Sequence, residues 1–363
     1  MTALPPLARI RPDVQSMHAY PVQDATGLLK LDAMENPHRL PAHLQAALGQ
    51  RLGGLALNRY PGQRTEDLRQ ALAGYVQLPA GYGLVLGNGS DELITLLAQA
   101  CALPGAAILA PVPGFVMYAI SAQIQGLAFV GVPLTADFEL DLPAMLEAIA
   151  QHKPAITYLA YPNNPTANLW NAEAVAQIID AVAQVGGLVV MDEAYQPFSS
   201  HSWMDTIREQ PQRHSHVLLM RTLSKFGLAG VRLGYLLGPQ ALVQEIDKVR
   251  PPYNISVLNC ECALFALEHA ETIEAQAHEL RAQRALLLEA LRRMPDVKAW
   301  DSDANMVLLR VPNAEHTFDG MRKRGVLIKN VSKMHPLLAN CLRLTVGTGF
   351  ENTQMLAALQ ASL

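Results

Sequence analysis

The sequence predicts an α/β protein, with a mostly parallel sheet flanked by helices and a smaller α+β domain after it. Short apolar runs bounded by Pro, Gly and Asn alternate with stretches whose apolar residues have helical spacing, a pattern typical of strands joined by crossover helices. Polar residues follow each run at once. Because the carboxyl ends of parallel strands share one edge of a sheet, these polar residues should meet at a single site.

The individual elements can be read along the chain. The strand-like runs are "AAILAPVPG", "AITYLAYPNNP", "GLVVMDEAY" and "HVLLMRTLSK", and the helical stretches between them include "DLPAMLEAIAQH" and "NAEAVAQIIDAVAQVG". A long helix from about 259 to 293 leads to three further strands, "DANMVLLRVP", "RGVLIKNV" and "CLRLTVGT". This change of pattern predicts a separate C-terminal α+β domain.

Composition limits the function classes. The chain has 363 residues, of which 50% are hydrophobic and 17% charged, so it can bury a large core. A net charge of -4 with scattered basic residues argues against nucleic acid as a partner. Neither a membrane-spanning run nor an apolar signal-peptide core is visible, which predicts a cytoplasmic protein.

The four cysteines predict neither a disulfide framework nor a metal site. They are Cys101, Cys260, Cys262 and Cys341, too few and too scattered for a disulfide-based fold in so long a chain. Cys260 and Cys262 form C-x-C inside an apolar helical stretch, but no nearby histidine pair completes a zinc-binding set. Reduced structural thiols are the expectation.

Three strand ends carry weak signals of a ligand site. In "LVLGNGSDELI" a glycine turn precedes Ser90, Asp91 and Glu92, and a helix beginning there would favour a phosphate, although a plain N-cap has the same pattern. Phe115 and Tyr118 follow the next strand, where a ring could stack on a flat ligand or simply pack in the core. The asparagines of "AYPNNPTAN" suit either a ligand or a structural turn.

Two strand ends carry stronger signals. Asp192 directly ends an apolar run, where a carboxylate needs a cation or good hydrogen bonds, and Tyr195 follows close behind it. Lys225 follows the strand "VLLMRT" beside Ser224. Burial of an ammonium lowers its pKa and costs stability unless the group is used or paired. An amine with a lowered pKa is what Schiff-base chemistry needs.

Pyridoxal phosphate would use every member of this set. Lys225 would take its aldehyde, Asp192 its pyridinium nitrogen, and Asn164 and Tyr195 its phenolate oxygen. Its phosphate would fall to Ser90, Ser224 and Arg232. A carboxylate at the ring nitrogen is a recurring requirement, because the protonated ring acts as an electron sink.

The ordered motifs resemble those of the histidinol-phosphate aminotransferases, within the fold-type I pyridoxal-phosphate-dependent aminotransferases. They are "LDAMENP", "NRYPGQRTEDLRQALA", "GNGSDELI", "YPNNPTAN", "DEAY", "RTLSKFGLAGVRLGY" and "CLRLTVGT", and the similarity runs from about Tyr20 to about Leu359. The resemblance implies a large domain with a mostly parallel seven-stranded sheet. It also implies a small domain made from both chain ends, with 1–50 as an N-terminal arm and part of the small domain, 51–258 as the large cofactor-binding domain and 259–363 as the C-terminal small domain.

The resemblance also assigns roles residue by residue. Lys225, Asp192 and Tyr195 would be catalytic. The cofactor would be bound by Tyr60, Ser90, Asp91, Glu92, Phe115, Asn164, Asp192, Tyr195, Thr222, Ser224, Lys225 and Arg232. The substrate would be bound by Tyr20, Asn36, Lys329 and Arg343. Tyr60 corresponds to a tyrosine that reaches the cofactor phosphate of the partner subunit, which implies a homodimer with active sites at its interface.

Four departures from the family pattern bear on the site. Met34 replaces the usual asparagine of "LDANENP", and the lysine segment is one residue shorter than the common "SKAFGLAG", which is expected to alter the approach of Arg232 to the phosphate. Lys329 stands where many members have a second arginine, and a lysine cannot make the bidentate fork. "YPNNPTAN" lacks the glycine usual after the threonine, a change expected to be mild.

The reaction implied is transamination of L-histidinol phosphate with 2-oxoglutarate to imidazole acetol phosphate and glutamate. Three alternatives share the cofactor residues: an aromatic amino acid aminotransferase, a threonine-phosphate decarboxylase and a catalytically silent cofactor-binding regulator. Such regulators usually carry a fused DNA-binding domain, and the chain shows no basic helix-turn-helix segment for one. The substrate consumed and the product released therefore distinguish the remaining hypotheses.

Overall fold

The computed structural model describes residues 6–19 and 22–363. The α-helices are α1 (Pro12–Gln15), α2 (Ala42–Gly53), α3 (Arg64–Tyr75), α4 (Ser90–Ala100), α5 (Met117–Gln125), α6 (Leu142–His152), α7 (Ala172–Gln184), α8 (Trp203–Glu209), α9 (Gln240–Asp247), α10 (Val257–Glu268), α11 (Ala270–Arg292), α12 (Ala314–Lys323) and α13 (Gly349–Gln360). The strands are β1 (Leu29–Lys30), β2 (Tyr82–Gly87), β3 (Ala107–Val112), β4 (Ala128–Pro133), β5 (Ile156–Ala160), β6 (Leu188–Asp192), β7 (Val217–Thr222), β8 (Gly234–Pro239), β9 (Lys298–Ala299), β10 (Met306–Arg310), β11 (Val326–Leu327), β12 (Lys329–Asn330) and β13 (Cys341–Thr345). Among the described residues, none of the helices combines the length and the apolar character that crossing a bilayer requires.

A seven-stranded sheet with the order β2-β8-β7-β6-β5-β3-β4 forms the centre of the molecule. Strand β8 runs antiparallel to both of its neighbours, and the other neighbouring pairs are parallel. The predicted mostly parallel sheet is therefore confirmed, and each of the four predicted strands of this region lies where its apolar run stands. The sequence analysis did not single out β4 and β8, and it noted β2 only through its end in "LVLGNGSDELI".

Helices cover both faces of this sheet. Along β2, Leu84 and Leu86 pack into one apolar cluster and Val85 into another, because successive side chains of a strand point to opposite faces. The predicted helices α6 and α7 pack on the first face, and their N-caps are the side chains of Asp141 and Asn171, which accept hydrogen bonds from backbone amides of the first turn. Burial on both faces explains the continuous apolar runs of the central strands.

The smaller sheets join the two ends of the chain. Strands β12, β13, β10 and β9 form an antiparallel sheet, and β1 pairs in parallel with β11. Strand β1 comes from the N-terminal part of the chain, whereas its partner lies near residue 326. All strands of the large sheet lie within the predicted limits 51–258, but the domain limits themselves stay a prediction.

The prediction of one long helix from about 259 to 293 is wrong in one respect, because the structure divides this stretch into α10 and α11. His269 separates them with φ -119° and ψ 31°, outside the helical region. Neither proline nor glycine stands at the break, and the His269 ring packs against Phe265 with centroids 4.6 Å apart. The bend lets α10 lie against α2 and α3 while α11 continues towards the small sheet.

A buried ion pair ties the ends of β6 and β7 together. Arg221 donates two hydrogen bonds to Glu193 Oε2, at 3.0 Å from Nε and 2.8 Å from Nη2. The other oxygen of Glu193 accepts from the amide of Trp203 (2.6 Å) and from the hydroxyl of Ser202 (3.0 Å). Both charged side chains are buried, so each needs the other to compensate its charge.

We expect Arg221→Leu to lower the free energy of unfolding by roughly 3–5 kcal/mol, because it leaves the Glu193 carboxylate buried without its cation. Urea-induced unfolding of the purified protein measures this. The control is Arg213→Leu, which breaks an ion pair with Asp180 on the surface and should cost less than about 1 kcal/mol. Equal effects of the two variants would contradict a stabilising role of the buried ion pair.

Candidate active site

A cavity lies at the carboxyl edge of the large sheet and gathers most of the predicted site residues. It is lined by Met34, Ser90, Asp91, Phe115, Tyr118, Ala160, Pro162, Asn164, Asp192, Ala194, Tyr195, Thr222, Ser224, Lys225 and Arg232. Ten of the twelve positions expected to bind the cofactor are in this set. The register of the sheet explains why these residues lie close together, because Asp192 at the end of β6 stands beside Ala160 of β5 and Met220 of β7.

Lys225 lies in a single π-helical turn, Ser224–Leu228, that follows β7. The turn contains Gly227 at φ 107°, a backbone conformation that side chains with a Cβ rarely adopt. Burial, and after it the nearby charge of Arg343, lowers the pKa of Lys225 to about 8. Its Nζ donates to the carbonyl oxygen of Ala33 at 2.8 Å. The amine is thus held in the cavity and is easily deprotonated.

Asp192 is a buried carboxylate that forms no ion pair with any of the described residues. The Tyr118 hydroxyl donates to its Oδ2 at 2.6 Å, and the Ala194 amide donates to its Oδ1 at 3.1 Å. Burial raises the pKa of Asp192 to about 6, against the lowering effect of the Tyr118 hydrogen bond. The site therefore offers a carboxylate to a ligand that supplies the missing positive charge.

Hydroxyls and a guanidinium form one end of the cavity. The Ser224 amide donates to Thr222 Oγ1 at 3.1 Å, and Arg232 Nη1 donates to Ser224 Oγ at 3.4 Å. Helix α4 begins here at Ser90, so its free amides and dipole add positive potential. Gly89 has φ 77°, a backbone conformation that favours glycine, and a Cβ there would lie 2.8 Å from Arg232 Nη2. The shortened lysine segment still brings Arg232 into the cavity.

Arg343 connects the cavity with a second pocket beside it. Its Nη1 donates to Asn164 Oδ1 at 2.6 Å and its Nη2 to the carbonyl of Asp32 at 2.8 Å. Lys329 stands directly opposite Arg343 in the β12–β13 pair, and burial lowers the pKa of Lys329, as does the neighbouring Arg343. Both cations line the second pocket together with Lys225 and Phe115. Two positive charges on neighbouring strands suit an anionic group.

Two of the departures from the family pattern occupy left-handed backbone positions. Ala167, which stands where the family has glycine, has φ 66° and is fully buried, and Met34 has φ 53°. Both pack in one small cluster with Tyr195. The Met34 amide donates to Thr345 Oγ1 at 3.0 Å, so hydrogen bonding from β13 holds this conformation. A left-handed alanine costs on the order of 1–3 kcal/mol, and the mild effect expected of this departure stays a prediction.

Some predicted residues lie outside the cavity. Glu92, expected to bind the cofactor, instead accepts from the Asn88 amide at 2.6 Å and from Asn254 Nδ2 at 2.7 Å, and so shapes the loop before α4. Asn36, expected to bind substrate, donates to Gln276 Oε1 at 3.0 Å and accepts from the His38 amide at 2.9 Å. Both side chains thus make hydrogen bonds within the protein, and their roles in binding cofactor and substrate stay predictions.

The two remaining predicted tyrosines need separate mention. Tyr60 is 74% exposed and stacks on Tyr253 with ring centroids 4.1 Å apart; it does not line the cavity of its own chain. Tyr20 lies outside the described residues. The role of Tyr60 in a partner's site stays a prediction.

The structure adds participants that the sequence did not reveal. The Tyr118 hydroxyl binds Asp192, although the sequence suggested only ring stacking or core packing for Tyr118. The carbonyls of Ala33 and Asp32 bind Lys225 and Arg343, and backbone atoms leave no trace in residue types. Only the position of "LDAMENP" among the motifs pointed to that segment.

The residues present fit pyridoxal phosphate. Asp192 needs a cationic partner, as a pyridinium nitrogen provides. The end of the cavity at Ser90, Ser224 and Arg232 has the donors and charge that a phosphate needs. Lys225 supplies an amine of lowered pKa between these two ends.

We expect the cofactor-free protein to lose stability as the pH rises from 4 to 7 through the titration of Asp192. Its folded pKa of about 6 lies above the unfolded value of 3.8, so its contribution is complete below the unfolded pKa and is lost as the pH rises through 6. Asp192→Asn should abolish this component, roughly 3 kcal/mol. Urea unfolding at several pH values measures it. The exposed control Asp205→Asn should keep the wild-type dependence, and an unchanged profile in Asp192→Asn would show that Asp192 is not the titrating group.

We expect the cofactor-free protein to capture pyridoxal phosphate with a pH midpoint near 8, since only the neutral amine of Lys225 attacks an aldehyde. Arg343→Gln should move this midpoint upward, because Arg343 lowers the pKa of Lys225. Stopped-flow absorbance measures the rates. Arg310→Gln is the control, since Arg310 lies in the neighbouring strand and binds the carbonyls of Ala339 and Leu337. An equal shift in both variants would argue against a direct effect of Arg343.

Comparisons with known proteins agree with this chemistry. A family model described as "Aminotransferase class I and II" matches residues 26–361. A histidinol-phosphate aminotransferase of Paracidovorax citrulli (strain AAC00-1) is 70% identical over 362 residues, with 98% of each chain covered. One of Ralstonia nicotianae (strain ATCC BAA-1114 / GMI1000), "Histidinol-phosphate aminotransferase 1", is 56% identical, with 98% of this chain and 94% of that protein covered.

Solved structures share the fold. The histidinol-phosphate aminotransferase from Sinorhizobium meliloti in complex with pyridoxal-5'-phosphate superposes with a TM-score of 0.84 at 24% identity, covering 97% of this chain and 96% of that one. The L-threonine-O-3-phosphate decarboxylase from Porphyromonas gingivalis has a TM-score of 0.76 at 20% identity, covering 92% and 98%. These two likenesses bear on the fold alone. The family model and the close relatives, by contrast, match nearly the whole chain, including the segments that line the Lys225 cavity. The protein therefore belongs to the class I and II aminotransferases, and within them to the histidinol-phosphate aminotransferases.

Proposed function

We propose that this protein transfers the amino group of L-histidinol phosphate to 2-oxoglutarate, giving imidazole acetol phosphate and glutamate, a step of histidine biosynthesis. The observation that carries the choice of substrate is the pair of cations, Lys329 and Arg343, that shares one pocket with Lys225. This pocket offers an anion site next to a reactive amine. The 70% identity to a histidinol-phosphate aminotransferase supports the same substrate.

The cavity residues would hold pyridoxal 5'-phosphate in a defined orientation. Asp192 would bind the ring nitrogen, Asn164 and Tyr195 the ring oxygen, and Phe115 the ring face. The phosphate would be bound by Ser90, Asp91, Thr222, Ser224 and Arg232. When bound, the cofactor withdraws electrons from the substrate carbon that carries the amino group, which makes the hydrogen on that carbon acidic.

Lys225 performs both the covalent and the proton-transfer work of this chain. Its lowered pKa leaves a useful fraction of neutral amine near neutral pH, so it can bind the cofactor's aldehyde. With the cofactor in place, the neutral Nζ of Lys225 would also serve as the base that takes the proton from the substrate carbon and returns it at the reacting centre. Asp192 keeps the opposite end of the site negative throughout.

Arg343 and Lys329 would bind the anionic end of each substrate. The amino donor ends in a phosphate and the acceptor in a carboxylate, so the same two cations serve both half-reactions. Arg343 is fixed by Asn164 and by the Asp32 carbonyl, which pre-orients its guanidinium. The Lys329 ammonium is a point charge and makes no bidentate contact. It can therefore bind either a phosphate or a carboxylate, but it selects less strongly for the geometry of the anion.

A homodimer is part of the proposal. Tyr60 and Tyr253 form an exposed aromatic stack, 74% and 58% exposed, and Leu57 nearby is 65% exposed. Exposed aromatic rings on a loop are typical of interface residues. We propose that this loop covers the partner's cofactor phosphate.

A cytoplasmic location is also part of the proposal, since the substrates are small water-soluble metabolites.

The test is a half-reaction followed by absorbance of the bound cofactor. Cofactor-loaded protein is mixed separately with histidinol phosphate, phenylalanine and threonine phosphate. We expect rapid conversion of the cofactor to its amine form with histidinol phosphate alone, and its reversal by 2-oxoglutarate. Equally fast conversion by phenylalanine would favour an aromatic aminotransferase, and release of carbon dioxide from threonine phosphate would favour a decarboxylase.

A matched variant tests the anion site itself. We expect Lys329→Gln to lower kcat/KM for histidinol phosphate by roughly tenfold, as loss of one charge-assisted contact predicts. The same change should leave kcat/KM for histidinol, which has no phosphate, within about twofold. Lys333→Gln is the control, because Lys333 is a neighbouring lysine with an 83% exposed side chain. Equal losses with both substrates would remove Lys329 from phosphate binding.

A further inference from the structure

A buried carboxylate outside the cavity holds both ends of the segment that carries Tyr60. Glu261 lies in α10 with a side chain only 5% exposed. Its Oε2 accepts from Arg51 Nε at 2.7 Å, and its Oε1 accepts from Arg64 Nε. Arg51 stands in the last turn of α2, and Arg64 is the first residue of α3. One carboxylate therefore joins the helix before the segment to the helix after it.

The segment between these helices, residues 54–63, is mostly exposed, and Pro61 is its one buried residue. Its backbone hydrogen bonds are local, such as Leu57 N to the carbonyl of Leu55 and Arg59 N to the carbonyl of Ala56, both at 3.0 Å. Residues 56–60 are all exposed. In the part of the chain that the structure describes, the stack of Tyr60 on Tyr253 is its one aromatic contact. The direction of the segment thus depends on where α2 ends and α3 begins.

The position of Arg64 makes Glu261 necessary. A guanidinium at the first residue of a helix faces the positive end of the helix dipole, which is unfavourable. Glu261 and Asp67, whose Oδ2 lies 2.7 Å from Arg64 Nη1, supply the compensating negative charge. Hydrogen bonding from Arg64 and then from Arg51 lowers the pKa of Glu261 in spite of its burial. The carboxylate is therefore ionised and bridges two cations that would otherwise repel each other.

We infer that Glu261 is a positioning residue that sets the location of Tyr60 in the active site of the partner subunit. The inference rests on the proposed homodimer and on the proposed contact of Tyr60 with the partner's cofactor phosphate. The clamp formed by Arg51, Glu261 and Arg64 acts on the neighbouring site and not on the cavity of its own chain. Its effect should therefore pass through Tyr60 alone.

The first experiment compares cofactor dissociation constants of intact dimers by absorbance titration. We expect Glu261→Gln to weaken pyridoxal phosphate binding by roughly tenfold, about the effect of removing the Tyr60 hydroxyl in Tyr60→Phe. The double variant should bind no more weakly than the weaker single variant, since both changes remove the same contact. Glu268→Gln is the control, because Glu268 binds Arg51 on the surface of the same helix with a side chain 52% exposed. It should bind like wild type.

The second experiment uses mixed dimers, purified with two different tags, of Lys225→Ala and Glu261→Gln subunits. The only site with a lysine then belongs to the Glu261→Gln subunit, and it receives Tyr60 from the partner whose Glu261 is intact. We expect full transaminase activity per lysine-containing site. Activity as low as that of the Glu261→Gln homodimer would overturn the inference, because Glu261 would then act within its own subunit. Arg64→Gln in place of Glu261→Gln repeats the test if the first variant folds poorly.

Failure of the proposed function would look different. Light scattering that shows wild-type protein to be a monomer, or wild-type protein without transaminase activity, refutes the proposal on which the inference depends before any variant is made. A wild-type active dimer in which the Tyr60→Phe and Glu261→Gln losses add fully refutes only the role of Glu261 as the positioning residue for Tyr60.

Discussion

The burial of Asp192 without a cationic partner is the constraint around which the site is built. A carboxylate at the closed edge of a parallel sheet is unfavourable unless something compensates for its charge. The Tyr118 hydroxyl and the Ala194 amide do so only in part, and the pKa of Asp192 stays raised, to about 6. The apolar clusters on both faces of the sheet stabilise the fold, and this stability offsets the cost of burying the unpaired charge.

The residue next along the chain resolves the same difficulty in the opposite way. Glu193 is also buried, yet it is neutralised by Arg221 and satisfied by Ser202 and Trp203. Because neighbouring side chains at a strand end diverge, one carboxylate can be committed to the scaffold while the other faces the cavity. The structural ion pair thereby holds the ends of β6 and β7, and with them Asp192 and Lys225, in fixed relation.

The sequence allowed the sheet and most of the cavity to be predicted because both depend on local patterns. An apolar run followed by a polar residue identifies Asp192 and Lys225 directly, whereas Thr222 was assigned through the family resemblance alone. Contacts between distant segments left no such pattern. Glu92 and Asn36, for example, pair with Asn254 and Gln276, and nothing near them in the sequence indicates these partners. The division between α10 and α11 also escaped prediction, since no helix-breaking residue stands at His269.

The pairing of β1 with β11 has a consequence for how the protein becomes active in the cell. The Ala33 and Asp32 carbonyls reach Lys225 and Arg343 only when this N-terminal stretch is docked, and the Leu31 carbonyl accepts from the amide of Thr345 at 3.1 Å. A nascent chain lacks that last strand until the ribosome has translated beyond residue 345. The site therefore cannot close until β13 has been synthesised, so cofactor capture at a complete site has to follow the synthesis of that strand.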